Sequence, residues 1–285
     1  MKTVAIAGVG LIGASFGLAL RKAGFSGEIL GVSSPPAIEA GLRSGAITRA
    51  ATLEEAAESA GLIYLAQPVD RILTTLETLG PIAPASCLIT DAGSTKSAIV
   101  RKASEYVREA SFLGGHPLAG KEQSGAEMAD ADLFRGRPYV LTPLRAAAEP
   151  TRDLRLWLER LGANVIEMSP AEHDAVLAFT SHLPQLLSTA LAYTLARQSN
   201  PAVAEVFGPA LLDMTRLALS PPEVWESIFA TNKEHILTAF DEFLQSGREL
   251  RTAVELGDLR SIFAQSATFA RVVRKLPSTP DGVDH

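Results

Sequence analysis

The chain has 285 residues, 47% of them hydrophobic and 20% charged, and carries a net charge of −6. That length can bury two hydrophobic cores, and 26 Lys and Arg scattered among 32 Asp and Glu exclude a basic face for nucleic acid. The single cysteine, Cys87, excludes a disulfide framework and a cysteine-built metal site, and the five histidines lack ligand spacing, so no metal is expected.

Thr3 to Ala7 predicts a buried strand that runs into Gly8-Val9-Gly10-Leu11-Ile12-Gly13 and then an apolar helix. That order is the dinucleotide-binding fingerprint. Gly8 permits the tight turn, Gly10 lets the backbone approach a pyrophosphate, Gly13 lets helix and strand pack closely, and the helix N-terminus faces the anion. A bare glycine-rich turn is the plainer alternative. Lys2 followed by an uncharged stretch from Val4 to Leu20 also approaches the shortest membrane span, but four glycines within it suit a phosphate-binding turn better. With no cleavage pattern after it and no other long apolar run, the protein is expected to be cytoplasmic, with no membrane partner.

Further short apolar runs follow at Glu28 to Val32, Leu62 to Leu65, Cys87 to Thr90, Ser111 to Gly115, Arg137 to Leu141 and Asn164 to Met168. Helical stretches separate most of them. The alternation predicts an α/β unit, a Rossmann-type, doubly wound and mostly parallel sheet with its ligand crevice outside the carboxyl ends of the strands. After the second run stands Ser33-Ser34-Pro35-Pro36, where an acid would hold the ribose 2′-hydroxyl of NAD. Without a carboxylate to repel a 2′-phosphate, NADP is favoured over NAD; alternatively both serines merely cap a helix. Leu11, Ile12, Gln67, Pro68 and Asp91 complete the candidate cofactor contacts beside the three glycines and two serines.

After the fourth run, Asp91-Ala92-Gly93-Ser94-Thr95-Lys96 either forms a turn and helix cap or aims a hydroxyl and an ammonium into the crevice. After the fifth, glycines and a proline fix the imidazole of His116 at the crevice, unless it is only a turn residue. Imidazole suits alcohol oxidation, because hydride leaves a carbinol carbon more easily as its hydroxyl proton is withdrawn near pH 7. His116 is therefore the candidate general base.

From Ser169 the pattern becomes helical. Ser169-Pro170-Ala171-Glu172 is a capping box with proline at the first helical position, and Ser220-Pro221-Pro222-Glu223 repeats the signal. Val224, Ile228, Phe229, Ile236, Leu237, Phe240 and Phe243 fall at helical spacing. Arg216 lies among Leu211, Leu212, Leu217 and Leu219, where a buried guanidinium pairs with Asp213 or binds a substrate carboxylate. The expected organisation is a dinucleotide-binding domain at 1–168, an all-helical domain at 169–276 that shares a substrate cleft with it, and a disordered tail at 277–285.

Taken in order, Gly8-x-Gly10-x-x-Gly13, Asp91-Ala-Gly-Ser94-Thr-Lys96, His116-Pro-Leu-Ala-Gly-Lys-Glu122-Gln-Ser-Gly125, His173-Asp174 with Ser181-His182-Leu-Pro184, and Asp213-Met-Thr215-Arg216 resemble the prephenate and arogenate dehydrogenases. The resemblance spans nearly the whole chain. It implies oxidation of a cyclohexadienyl carbinol by NAD(P), loss of the ring carboxylate as carbon dioxide, a role in tyrosine biosynthesis, and a homodimer through the helical domain. Carried over by position, His116 and Ser94 meet the ring hydroxyl, Arg216 the side-chain carboxylate, Glu122 stands near that arginine, and His182 lines the substrate pocket. Lys121 stands near the substrate side chain, where an uncharged residue such as threonine would be expected. Neither a regulatory nor a mutase domain is expected beside this core.

Two alternatives remain open at this stage. A 3-hydroxyacid dehydrogenase would use a lysine of the helical part, for which Lys233 and Lys275 are available. A non-catalytic NADP-binding sensor would need no proton acceptor.

Overall fold

A computed structural model of the protein describes residues 2–121, 123–143 and 149–275. Contacts divide the described chain into two compact units, one ending at His173 and one running from Asp174 to Lys275. Met168, the expected boundary, follows the last strand; the division falls one helical turn later because that turn packs onto the sheet unit through His173.

The first unit is an eight-stranded sheet of β1 (Thr3–Ala7), β2 (Glu28–Val32), β3 (Arg49–Ala50), β4 (Leu62–Leu65), β5 (Leu88–Asp91), β6 (Ser111–Pro117), β7 (Pro138–Pro143) and β8 (Asn164–Glu167). Their spatial order is β3-β2-β1-β4-β5-β6-β7-β8. Only β6 and β7 pair antiparallel. The strands are linked by α1 (Leu11–Lys22), α2 (Pro35–Ser44), α3 (Leu53–Ser59), α4 (Val69–Leu79), α5 (Ser97–Tyr106) and α6 (Glu149–Arg160). Strands are added outward from β1 to β3 on one side and from β4 to β8 on the other, so the order switches between the parallel β1 and β4, and the crevice at their carboxyl ends is the ligand position that such sheets provide.

Period-two alternation builds two cores, one on each face. Val4 and Ile6 join Phe16, Leu20, Tyr64 and Leu113 on one side, while Ala5 and Ala7 join Leu30, Ile63, Leu65 and Ile89 on the other. Strands buried on both faces need continuous apolar runs, which is what made β1 and β4 readable. Phe16 stacks on Tyr64 with ring centroids 4.1 Å apart, locking α1 against the sheet beside the fingerprint turn. β3 was not expected: it is two exposed residues, held to β2 by backbone pairing and by an ion pair from Arg49 Nε to Glu28 at 2.8 Å.

α7 (Pro170–Leu177), whose first turn belongs to the first unit, runs through a π-helical turn at Ala178–His182 into α8 (Leu183–Ala196), and the second unit continues with α9 (Pro209–Thr215), α10 (Pro222–Thr231), α11 (Lys233–Leu256) and α12 (Arg260–Lys275). The π turn precedes Pro184, which has no N–H to donate and whose ring would crowd a regular turn, so widening relieves the clash. Contrary to the expectation of no second long apolar run, Pro170–Ala196 is long and apolar enough to cross a membrane by length and composition. Its polar groups are nevertheless used in packing: Gln185 Nε2 donates to the Leu217 carbonyl at 2.9 Å, and Ser188 Oγ accepts from the Ala218 N–H at 3.0 Å. Ile228 and Ile236 are buried as the helical spacing requires, but Val224 and Leu237 stand exposed, and α12 buries no residue. Ser220 does not cap α10, whose N-cap position is taken by Pro221.

Candidate active site

The fingerprint turn has the geometry its glycines allow. Gly8 sits at φ +96°, its N–H donates to the Val32 carbonyl at 2.9 Å, and an added Cβ would lie 2.3 Å from the Ala66 oxygen. At Gly13 an added Cβ would lie 2.0 Å from the Gly8 oxygen, so helix and turn touch there. Gly10 is different: a Cβ there would meet nothing within 4 Å, leaving an open approach to the backbone. Gly10 is the N-cap of α1 without a side-chain cap, and the first turn contains no acid. Its leading N–H groups and the positive end of the helix dipole thus face this opening. Leu11 and Ile12 are half-buried against the core and would contribute backbone N–H groups to a ligand. These residues fit a dinucleotide pyrophosphate.

Around that turn, Gln67 abuts Gly8 and accepts a hydrogen bond from Thr75 Oγ1 at 2.9 Å, while Pro68, exposed, opens α4. Ser33 and Ser34 stand exposed after β2, and Ser34 occupies the N-cap position of α2 without making a side-chain cap. Helix capping therefore does not account for that hydroxyl.

At the end of β5 the polar residues point inward. Asp91 and Lys96 form an ion pair with neither side chain exposed; Asp91 also accepts from the N–H groups of Gly93 at 2.8 Å and Gly115 at 3.0 Å. Lys96 Nζ donates to the Gly115 carbonyl at 2.7 Å. Of the two readings of this segment, the ion pair turns the Lys96 ammonium onto Asp91 and the Gly115 carbonyl, and the Asp91 carboxylate is engaged by Lys96 and two backbone N–H groups. What the pair holds is both backbone groups of Gly115, the residue before His116. Ser94, between them, is half-buried.

His116 lies near the end of β6, opposite Val140 of β7, and is only 8% exposed. Its Nδ1 is 2.8 Å from Nε2 of His173, which is fully buried in the first turn of α7. The rings meet edge to face, with centroids 5.0 Å apart. Ser169 fixes that turn, accepting the Glu172 N–H on its hydroxyl and the His173 N–H on its carbonyl. Behind the strand, Tyr139 donates to the Tyr64 hydroxyl at 3.3 Å; burial raises both phenol pKa values, so neither is poised as a base.

Lys121 pairs with Asp130 at 3.1 Å, which neutralises its charge on the surface, and Asp130 in turn accepts from the Asp132 N–H. Those contacts hold the Asp130 carboxyl below the usual carboxylate range, the backbone N–H contributing most. Glu122 lies outside the described residues, as does the segment expected to be a disordered tail.

In the second unit, His182 is the last residue of the π turn and buried, with Nδ1 3.2 Å from Asn232 Nδ2 and its ring edge-on to Trp225. Asn232 Nδ2 also donates to the Asp174 carbonyl at 2.8 Å. As the donor is the amide nitrogen, His182 Nδ1 accepts and Nε2 carries the proton. Arg216 follows α9 and is exposed, as are Leu212 and Met214 beside it. The inference that apolar neighbours bury its guanidinium is therefore corrected: Leu212 and Leu219 are exposed and Leu211 and Leu217 only half-buried. Lys233, the base required by a 3-hydroxyacid dehydrogenase, is exposed at the first residue of α11.

The residues that sequence reasoning left without a role are His173 and Asn232. Each acts through a partner more than 45 residues away in the chain, His116 and His182 respectively, and neither spacing carries a local signal.

Two family models match the chain: prephenate dehydrogenase, nucleotide-binding domain, over residues 16–167, and prephenate dehydrogenase, dimerization domain, over residues 169–267. Prephenate dehydrogenase of Bacillus subtilis is 35% identical over 268 residues, 92% of this chain and 72% of that protein. Among solved structures, prephenate dehydrogenase from A. aeolicus in complex with hydroxyphenyl propionate and NAD+ superposes with a TM-score of 0.89 at 31% identity, covering 96% of this chain and 99% of that one. Synechocystis arogenate dehydrogenase gives a TM-score of 0.80 at 29% identity, over 95% and 99% of the two chains. A glycine turn fitted to a dinucleotide, a buried imidazole on the neighbouring part of the same sheet, and matched sequence across both units agree: the chain belongs to the prephenate dehydrogenase family.

Proposed function

We propose that the protein oxidises prephenate or arogenate with NAD(P)+ and releases the ring carboxylate as carbon dioxide, supplying the keto-acid precursor of tyrosine or tyrosine itself. The observation that carries this reading is His116, a nearly buried imidazole near the end of β6, in the same sheet as the β1 turn that is open to a pyrophosphate. Bound in that turn, an oxidised nicotinamide supplies the acceptor for the hydride of the carbinol carbon. His116 accepts the hydroxyl proton as that carbon is oxidised, with Ser94 sharing the hydroxyl. The bonding pair of the departing carboxylate aromatises the ring, and the imidazolium can return its proton to the phenolate, so no net proton is released.

Arg216 is assigned the side-chain carboxylate, with His182, Lys121 and Glu122 as neighbours of the substrate. For the cofactor, Gly8, Gly10, Leu11, Ile12 and Gly13 are assigned the pyrophosphate, with Gln67 and Pro68 beside it. Ser33 and Ser34 favour NADP, since two exposed hydroxyls stand where a carboxylate would repel a 2′-phosphate. A cytoplasmic homodimer through the second unit completes the reading. It is supported by the dimerization-domain match and by exposed apolar side chains such as Val206 and Leu219, 81% and 86% accessible.

The test is turnover of prephenate and of arogenate with each oxidised cofactor, followed by absorbance of the reduced nicotinamide. H116N should lower kcat about a hundredfold or more while cofactor binding persists. Full activity in H116N together with a dead K233A would overturn the assignment in favour of a hydroxyacid dehydrogenase. Cofactor binding without turnover of either substrate would favour the sensor reading.

A further inference from the structure

We infer that His173 is a positioning residue for the reaction: its Nε2 accepts a hydrogen bond from Nδ1–H of His116, fixing the tautomer and leaving Nε2 of His116 to meet the substrate. The inference deepens the proposed function and rests on His116 being the base. The two nitrogens are 2.8 Å apart, within ordinary hydrogen-bond range, and both rings are buried, so the bond is shielded from competing water.

A neutral base must present a lone pair, and an imidazole holds one only on the nitrogen without its proton. With Nδ1 facing His173, a proton on Nδ1 leaves the lone pair on Nε2. When His116 takes the substrate proton, its Nδ1–H still has an acceptor, so the imidazolium is formed without a rearranged contact. A carboxylate does this in Ser-His-Asp triads. Here a second imidazole does it.

The surroundings keep this partner in place. Ser169 fastens the helical turn of His173 at two backbone N–H groups. On the other side, Asp91 and Lys96 clamp Gly115, so the strand end bearing His116 cannot slide away. The titratable and charged groups around the pair include that Asp91–Lys96 ion pair at the end of β5, Tyr139 across β7 with Tyr64 behind it, and, on α7, the buried Asp174 next to His173 and the exposed Glu172. The ion pair is internally neutralised, and the phenols stay protonated because burial raises their pKa values.

The test compares the full-length protein with H173L, which removes the acceptor, and H173Q, whose amide oxygen can accept in its place. Nitrogen-15 magnetic resonance of the His116 ring reads the tautomer without any turnover. In the wild type and in H173Q the proton should sit on Nδ1; in H173L a substantial share should move to Nε2. Turnover by H173L should fall roughly 10- to 100-fold in kcat with KM within about twofold, and H173Q should regain most of it. A neutral acceptor favours the charged imidazole, so losing it lowers the pKa of His116, and the acid limb of kcat/KM should move to lower pH in H173L alone. If H173L does not fold, wild type against H173Q decides by the same spectra.

A wild-type proton on Nε2 overturns the inference, because His173 would then be the donor. An unmoved acid limb with equal rate losses in both variants also overturns it, as packing alone would explain the loss. Full turnover by H116N would instead remove the base assignment, and the spectra would still show whether His173 sets the tautomer.

Discussion

Asp91 at the end of β5 and Lys96 before α5 face one another without solvent contact, and between them they bind the N–H and the carbonyl of Gly115. The pair is therefore a clamp on the strand end that carries His116. Removing one charge leaves the other buried and uncompensated. K96M should lower the free energy of unfolding in urea by about 3–5 kcal/mol, and the folded fraction should turn over more slowly than wild type. A loss below about 1 kcal/mol would mean that the buried pair contributes no clamp.

Gly10 and Gly13 should separate binding from folding. At Gly10 an added methyl meets no protein atom within 4 Å, so G10A should keep the wild-type melting temperature while its cofactor Kd rises about tenfold or more. At Gly13 the methyl would lie 2.0 Å from the Gly8 oxygen, so G13A should lose at least about 1–3 kcal/mol of stability. Calorimetric titration and thermal melts on the two variants check this. Equal effects on both quantities in both variants would contradict the assignment of Gly10 to the ligand.

Cofactor choice should turn on Ser33. A carboxylate there would sit near a 2′-phosphate and, through partly screened repulsion of about 1–4 kcal/mol, penalise NADP. S33D should shift the NADP to NAD ratio of kcat/KM by roughly tenfold or more toward NAD. An unchanged ratio would place the discriminating contact elsewhere.

Alkaline stability should be set by buried weak acids. Burial pushes the Cys87 thiol up to about 12 and raises the Tyr64 and Tyr139 phenols, because each anion would lack solvation. In the unfolded chain these groups ionise near their ordinary values, about 8.5 for Cys and about 10 for Tyr. Their folded pKa values are raised, so the stability they confer is complete below those unfolded values and is lost as pH rises toward the folded ones. Unfolding free energy should decline from about pH 9 upward, and C87A should flatten the first part of that decline. Urea titrations across that range measure it. The native thiol should also resist alkylation at neutral pH.

Legibility in the sequence depends on the physical demand behind each feature. β1 and β4 were readable because strands covered on both faces need unbroken apolar runs. Gly8, Gly10 and Gly13 were readable because each turn constraint falls on one residue type. The two exposed residues of β3 offer no pattern, and the antiparallel reversal between β6 and β7 leaves apolar content unchanged. The Asp91–Lys96 pair was not readable, because a carboxylate after a strand looks the same whether it faces a crevice or a buried lysine. Arg216 was judged buried from neighbouring leucines, yet Leu212 and Leu219 are exposed in the chain. The His116–His173 bond joins residues 57 apart and leaves no periodic trace.

The widened turn at Ala178–His182 bears on how this helix tolerates changes in length. A π turn accommodates one residue more than the α-turn it replaces while the flanking segments keep their phase. Deleting a single residue from 178–181 should close the turn to regular geometry and leave the faces of α8 pointing as before, with the Pro184 crowding that the widening relieves as its cost. A deletion one turn further along would swing every later side chain by about 100°. Among the described residues of this helix, the widened turn is thus where the chain can shorten by a residue without re-aiming the side chains of α8.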